Sequence, residues 1–198
     1  MKCLVVVAHP LTDSLCQALA RTAIETLGAA GHEVVVEDLY ASAFAPALRA
    51  EERRSYYADG FDAGAVRAQV DRLLAAEALV LVFPTWWFGF PAMLKGWFDR
   101  VWAPGFAYDH AADLGALQPR LLKLRQALMI TSLGSPWWVD RLVLRQPVKR
   151  VLKTALLGTC APACRLQALS LYKAERLDEA QVEGFRRRIR RTLAGWRE

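Results

Sequence analysis

The stretch from Ala78 to Tyr108 constrains the fold more than any other in the chain. It opens with the apolar run Ala78–Phe83, breaks at Pro84, sets Trp86, Trp87 and Phe88 side by side, and resumes after Pro91 with a different period. Leu94, Trp97, Phe98 and Val101 fall at the i, i+3, i+4 and i+7 positions of one helix face, which leaves Lys95, Asp99 and Arg100 to face outward. Pro91 stands where a first helical turn tolerates proline. The pattern is strand, loop, helix, with the aromatic loop Thr85–Phe90 at the carboxyl end of a buried strand. Ala78–Leu94 carries no charge and approaches the length of a membrane span. Its two prolines, the nearby Gly89 and Gly96 and the change of period argue against a continuous helix across lipid.

Around this stretch the chain alternates strand and helix patterns. Lys2–Ala8 is a β-branched run that reads as a buried strand. Asp13 or Ser14 then caps a helix whose inner face is Leu15, Leu19, Ala23 and Leu27, ended by Gly28 or Gly31. His32–Leu39 is a second strand. Tyr40–Gly60 has a weak pattern and is expected to be a long connection holding one short helix, of the kind that often carries function. Val66, Val70, Leu73 and Leu74 mark the helix that feeds the strand Ala78–Phe83. Ala103–Gln126 is expected to be mostly loop, Gln126–Ser132 a fourth strand, and Val139–Gly158 helical with a break or restart at Pro147. Arg165–Leu171 closes the set of strands and Asp178–Trp196 is the last helix. Five strands alternating with helices predict a single α/β domain over residues 1–198, a doubly wound parallel sheet with right-handed crossovers and the flavodoxin-like order 2-1-3-4-5. In that order the ligand crevice lies beyond the carboxyl ends of strands 1 and 3, so the His9–Ser14 and Pro84–Phe90 loops face one another.

Composition narrows the chemistry. Four cysteines and three histidines show no metal-like clustering beyond the Cys160/Cys164 pair, and free thiols in a reducing compartment are expected. Met1-Lys2 runs straight into the first strand with no leader pattern, which makes cytoplasm the expected location. The net charge of +6 owes much to Arg186–Arg191. There Val182, Phe185, Ile189, Leu193 and Trp196 keep an apolar stripe, so the segment is an amphipathic helix with a solvated basic face. No nucleic-acid signature accompanies it, and the positive field suits an anionic small molecule.

The first loop has neither a dinucleotide nor a phosphate-loop glycine pattern. It offers the hydroxyls of Thr12 and Ser14 and free amides at a helix amino terminus, a favourable place for phosphate, although an ordinary capped helix would look the same. His9 is able either to donate to an anion or to bond within its loop. Trp86, Trp87 and Phe88 cannot all enter one core, so part of this surface meets solvent, another subunit or a flat conjugated ligand. Thr131–Ser135 adds hydroxyls and Gly134 at the same edge.

The segment Phe83–Trp102 followed by Gly105–Tyr108, together with Ala8-His9-Pro10-x-x-x-Ser14 and Thr131-Ser132-x-Gly134-Ser135, resembles the flavodoxin-like NAD(P)H:quinone oxidoreductases, the DT-diaphorase family. The resemblance implies a flavin, FAD rather than FMN, with NAD(P)H as co-substrate and two-electron transfer to a quinone by a ping-pong mechanism. It implies that His9, Asp13, Ser14, Leu15 and Cys16 line the phosphate and ribose portion, and that Pro84, Thr85, Trp86, Trp87 and Phe88 run along the isoalloxazine ring. Thr131, Ser132, Leu133 and Gly134 would close the opposite side, Tyr108 and His110 the substrate pocket, in a homodimer with the active site at the interface. Cys16 departs from the family's usual Asn and Leu133 from a glycine, while Trp137, Trp138 and Asp140 occupy the neighbourhood of the family's charge-stabilising Tyr and His. Hydride chemistry would belong to the flavin, so no side chain is singled out as catalytic. Reduction of azo or nitro compounds, an ancillary role docked on a potassium-efflux transporter through Arg186, Arg187, Arg190 and Arg191, and a flavin-free structural module are the other roles such a chain can fill.

Overall fold

Apolar runs such as 3–8 and 78–83, with no polar residue among them, belong at the centre of a sheet covered on both faces, with more polar strands toward its edges. In the computed structural model, which describes residues 1–57, 60–111 and 115–196, they lie there. β1 (Lys2–Val7), β2 (Glu33–Asp38), β3 (Ala78–Pro84), β6 (Gln126–Leu133) and β7 (Arg165–Tyr172) form one parallel sheet in the order β2-β1-β3-β6-β7. Between β3 and β6 lies a two-stranded antiparallel ribbon, β4 (Tyr108–Asp109) with β5 (Gln118–Pro119). Counted along the main sheet alone, this is the expected 2-1-3-4-5 arrangement, and every residue of β3 is buried.

α1 (Leu15–Ala29) and α7 (Glu179–Ala194) cover one face of the sheet. The other face is covered by α2 (Ala50–Ser55), α3 (Arg67–Ala75), α4 (Ala92–Val101) and the segment from α5 (Pro147–Arg150) to α6 (Gly158–Cys160). α1 is capped by Ser14, whose Oγ accepts from Gln17 N at 3.2 Å. It ends in a Schellman arrangement: His32 N donates to Leu27 O, Gly31 N donates to Gly28 O, and Gly31 takes the positive φ of 80° that favours glycine. α7 has a capping box in which Asp178 and Gln181 satisfy one another's amides. Its basic face is in part self-paired, since Glu183 contacts both Arg186 and Arg190.

One expectation needs correction. Arg100 does not face outward on α4; it is buried against Glu52 on α2. The helical periodicity could not show this, because an arginine at a polar position of the wheel looks the same with or without a second layer above it. Val139–Gly158 is helical with the expected restart at Pro147, but Val139–Val143 and Val151–Leu157 are π-helical, with Leu144 N donating to Val139 O five residues back. Arg145 and Gln146 between them adopt positive φ, and the helix restarts at Pro147, in the first-turn position that suits proline. Leu15, expected on the inner face of α1, is half-buried and packs against the core on that face. The connections Tyr40–Gly60 and Ala103–Gln126 include residues 58–59 and 112–114, which lie outside the described residues.

Candidate functional site

Parallel register brings the strand ends level. Val7 pairs with Val82, and Pro84 with Ser132, so the loops after β1, β3 and β6 leave the sheet at one edge. They are tied together there. Thr85 N donates to Ser132 O at 2.8 Å, and the hydroxyls of Thr85 and buried Thr131 bond at 2.6 Å. The rings of His9 and Trp86 lie 6.4 Å apart across the crevice.

In the first loop, Leu11 N donates to His9 Nδ1 at 3.1 Å. Nδ1 also lies 3.3 Å from Leu11 O, so the ring is held within its own loop by the Leu11 backbone. Ser14 spends its Oγ on the Gln17 amide, which leaves the amides of Leu15 and Cys16 as the first-turn donors without an intrahelical partner. Thr12 and Asp13 are exposed. Burial, reinforced by the Asp38 charge, pushes the Cys16 thiol up to about 12, so it is a neutral group beneath the loop.

The second loop turns tightly. Gly89 N donates to Trp86 O at 2.9 Å, and Trp87 and Phe88 between them have φ of 51° and 55°. Positive φ at both central residues is the type I′ pattern, normally filled by Asn and Gly. Two aromatic residues held there store strain, of the order of 1 kcal/mol or more each, and the turn presents Trp87 with its side chain fully exposed. The expectation that these aromatics cannot all be buried holds: Trp86 and Trp87 are exposed and Phe88 half-buried.

In the third loop, Leu133 points into the core and Gly134 is exposed, with Glu175 close to where a Cβ would be. Ser135 O accepts from Lys173 N, and the buried Ser135 Oγ has no hydrogen-bond partner. Behind this edge, buried Asp140 accepts from Tyr172 Oη at 2.8 Å, while Trp137 and Trp138 are exposed.

Tyr108 and His110 belong to a second group rather than to the three loops. His110 packs against Tyr57 at 5.1 Å and against Tyr108 at 5.5 Å between ring centres. A cavity of about 500 Å³ here is lined by Tyr56, Tyr57, Phe61, Pro104 and His110. A second, of about 280 Å³, is lined by Tyr56, Phe90, Phe98, Trp102, Tyr108 and Cys160, with Lys95 and Asp99 among its polar groups. Burial pushes the Tyr108 phenol up, and charges on Cys160 and Tyr57 push it the same way. Sequence patterns gave no hint of Tyr56 and Tyr57, which lie in the weakly patterned connection; the doubled aromatic in a charged stretch was the available sign. All four cysteines are unbonded.

The edge therefore offers helix-end amides for an anion, an exposed aromatic surface for a flat ring, and a glycine turn with an unpartnered buried hydroxyl. A family model described as "Flavodoxin-like fold" matches residues 1–193. The rat protein named NAD(P)H dehydrogenase [quinone] 1 is 32% identical over 209 residues, covering 87% of this chain and 75% of that protein. The chain spans about half to two thirds of the length of other curated relatives it matches. Among solved structures, the NAD(P)H:quinone oxidoreductase of Methanothermobacter marburgensis superposes with a TM-score of 0.84 at 27% identity, covering 98% of this chain and 94% of that one. An FMN-dependent NADH-azoreductase of Bacillus anthracis, in complex with FMN, superposes with a TM-score of 0.75 at 16% identity, over 98% of each chain. At that identity the likeness is one of fold.

Proposed function

The chain belongs to the flavodoxin-like fold family, and from that premise we propose that it is a flavin-dependent NAD(P)H oxidoreductase that passes two electrons to a quinone. The observation that carries this reading is the strained turn Trp86–Gly89, which holds exposed indoles at the same sheet edge as the helix-end amides of Leu15 and Cys16. The names and similarity of the rat and Methanothermobacter proteins support it.

The residues present fit a flavin nucleotide. Leu15 and Cys16 amides, aided by the α1 dipole and Ser14, would hold its phosphate. A neutral Cys16 thiol puts no second negative charge beneath it. Pro84, Thr85, Trp86, Trp87 and Phe88 would carry the ring plane, and Thr131 to Gly134 would approach its other side. The bonds from Thr85 to Thr131 and Ser132 keep these two walls in register. Hydride transfer from NAD(P)H to an acceptor is the chemistry that a bound flavin would supply. The protein's own part is to stack, orient and exclude water. His9, in the loop after β1, and Ser135, in the loop after β6, are the polar side chains that would stand nearest the group's polar edge.

A single pocket over the exposed Trp86 and Trp87 would take nicotinamide and quinone in turn, which is the basis for a ping-pong sequence. FAD is our preferred cofactor; the FMN bound by the azoreductase is a property of that protein and keeps FMN as the alternative. A homodimer, with exposed Trp137, Trp138, Leu142 and Val143 as its contact, completes the reading. The test is a visible spectrum of purified protein, the mass of the released cofactor, and anaerobic addition of NADPH and then a quinone. Flavin bands that bleach with NADPH and return with quinone are expected, with parallel double-reciprocal plots. A protein that stays colourless after incubation with FAD and FMN would overturn the proposal.

A further inference from the structure

The segment from Phe44 to Tyr57 crosses the outer side of α4 and is tied to it by an unusual set of contacts. Arg100 on α4 and Glu52 on α2 are 3% and 0% exposed. Arg100 Nε donates to both carboxylate oxygens of Glu52, at 3.1 and 3.0 Å, its Nη2 donates to Oε1, and its Nη1 to Ala45 O. Arg49 N adds a bond to Oε2 at 2.9 Å. The carboxylate is thus held by a planar fork and an amide, the arrangement that fixes orientation most tightly. A few residues on, Tyr56 Oη donates to Asp99 O. The guanidinium of Arg53 lies 5.4 Å from the centre of the Tyr56 ring and 5.0 Å from that of Tyr57.

A buried ion pair is seldom worth its desolvation for stability alone, and well-packed apolar residues commonly replace one at no loss. What it supplies here is direction. Glu52 is followed within one helical turn by Tyr56, which borders both cavities, and by Tyr57, which lies against His110. α4 itself begins just past the Trp86–Gly89 turn. The pair therefore links the element that leaves the aromatic turn to the segment that walls the cavities at Tyr108 and His110.

We propose that Glu52 and Arg100 are positioning residues, whose buried fork holds Tyr56 and Tyr57 against Tyr108 and His110 and so sets the shape of the acceptor pocket. The proposal rests on the reading of Tyr108 and His110 as the substrate side of a quinone reductase. Neither residue reaches the cavities' named linings, so each acts through the tyrosines.

The experiment uses the full flavin-loaded protein and the double variant Glu52→Leu/Arg100→Met, with two readouts besides folding. The ring-proton resonances of His110, one of three histidines, report its stacking on Tyr57 and Tyr108. Steady-state kinetics with NADPH and menadione report the pocket. We expect unchanged flavin absorbance, His110 resonances moved toward their unstacked positions, and a quinone KM raised about tenfold with kcat within about twofold, since small misplacements of orienting groups have costs of this size or larger. If the double variant does not fold, Arg100→Lys, which keeps the charge and loses the fork, carries the same readouts. Unmoved His110 resonances in a folded variant overturn the proposal, as does an unchanged quinone KM with moved resonances. Wild-type protein that reduces no quinone sinks the functional reading instead, and the His110 resonances still decide whether the pair holds the tyrosines.

Discussion

At the scale of single residues, two positions set folding stability against site geometry. Glu37 on β2 is buried, accepts from Trp97 Nε1 at 3.0 Å with one oxygen, and leaves the other without a hydrogen bond, although Arg72 lies 3.6 Å away. Burial pushes its carboxyl up, and the Trp97 bond and the Arg72 charge reverse only part of that. The folded state thus holds its proton more tightly than the unfolded chain, so stability is greatest below the ordinary glutamate range and falls as pH rises through the raised value. Glu37→Gln keeps the acceptor for Trp97 and removes the ionisation; its Tm at pH about 8 is expected above wild type and the difference is expected to vanish near pH 4, read by thermal scans across that range. Trp87 makes the opposite trade. Its side chain is fully exposed and its backbone sits at φ 51°, so Trp87→Gly is expected to leave stability within about 1 kcal/mol of wild type while NADPH-quinone turnover falls about tenfold or more through loss of stacking area. Urea unfolding and steady-state rates on the same preparation separate the two effects. Three adjacent aromatics told the sequence reader that some would be exposed; the left-handed turn that exposes them was not legible, because nothing in Trp-Trp-Phe favours positive φ.

At the scale of elements, legibility followed periodicity. β3 and α4 were readable because a strand buried on both faces is continuously apolar and a helix over a sheet repeats every three to four residues. The short helix expected somewhere in Tyr40–Gly60 is α2, but its bounds and its role were not legible, since Ala50–Ser55 is six residues with one buried side chain, and that side chain is a glutamate. A short charged helix that buries charge has no hydrophobic signature at all. The same contact explains Gly96, which looks like a weak point in α4. A Cβ there would lie 2.1 Å from Pro46 O and 2.5 Å from Pro46 Cβ, so the glycine exists to let the Phe44–Tyr57 segment approach. Gly96→Ala gains about 1 kcal/mol of helix propensity yet forces a backbone apart, and a net loss of about 2 kcal/mol is expected. The denaturation midpoint in urea should fall with the slope unchanged. Variation of the same size at Gly184 on α7, where an added Cβ meets only the end of the Arg187 side chain at 3.8 Å, should instead stabilise.

At the scale of the whole molecule, the sheet order explains why three loops far apart in sequence leave the sheet at one edge: β1, β3 and β6 are adjacent, so their exits converge. Tyr108 and His110 were named with them by resemblance, yet within one chain they face their own cavities with Tyr56 and Tyr57. A second copy would reconcile the two groups if its Tyr108 side closed over this chain's aromatic turn. The surface available for that contact is the irregular segment between β6 and β7. Trp137, Trp138, Leu142, Val143 and Val151 are all exposed there, a concentration of large apolar side chains that monomers rarely leave in water. A two-fold contact would bury the same residues on both copies and place both sites at the seam. Leu142→Glu/Val143→Glu puts four like charges across such a seam and none into any side chain of the core. The expected result is wild-type helicity with the mass of a single chain by light scattering, where wild type gives twice that mass, and quinone turnover reduced at least tenfold because each pocket has lost its second wall. Turnover that survives in a monomer would place the whole acceptor pocket within one chain, and the cavity bordered by Phe90 and Tyr108 would then be where a quinone is sought.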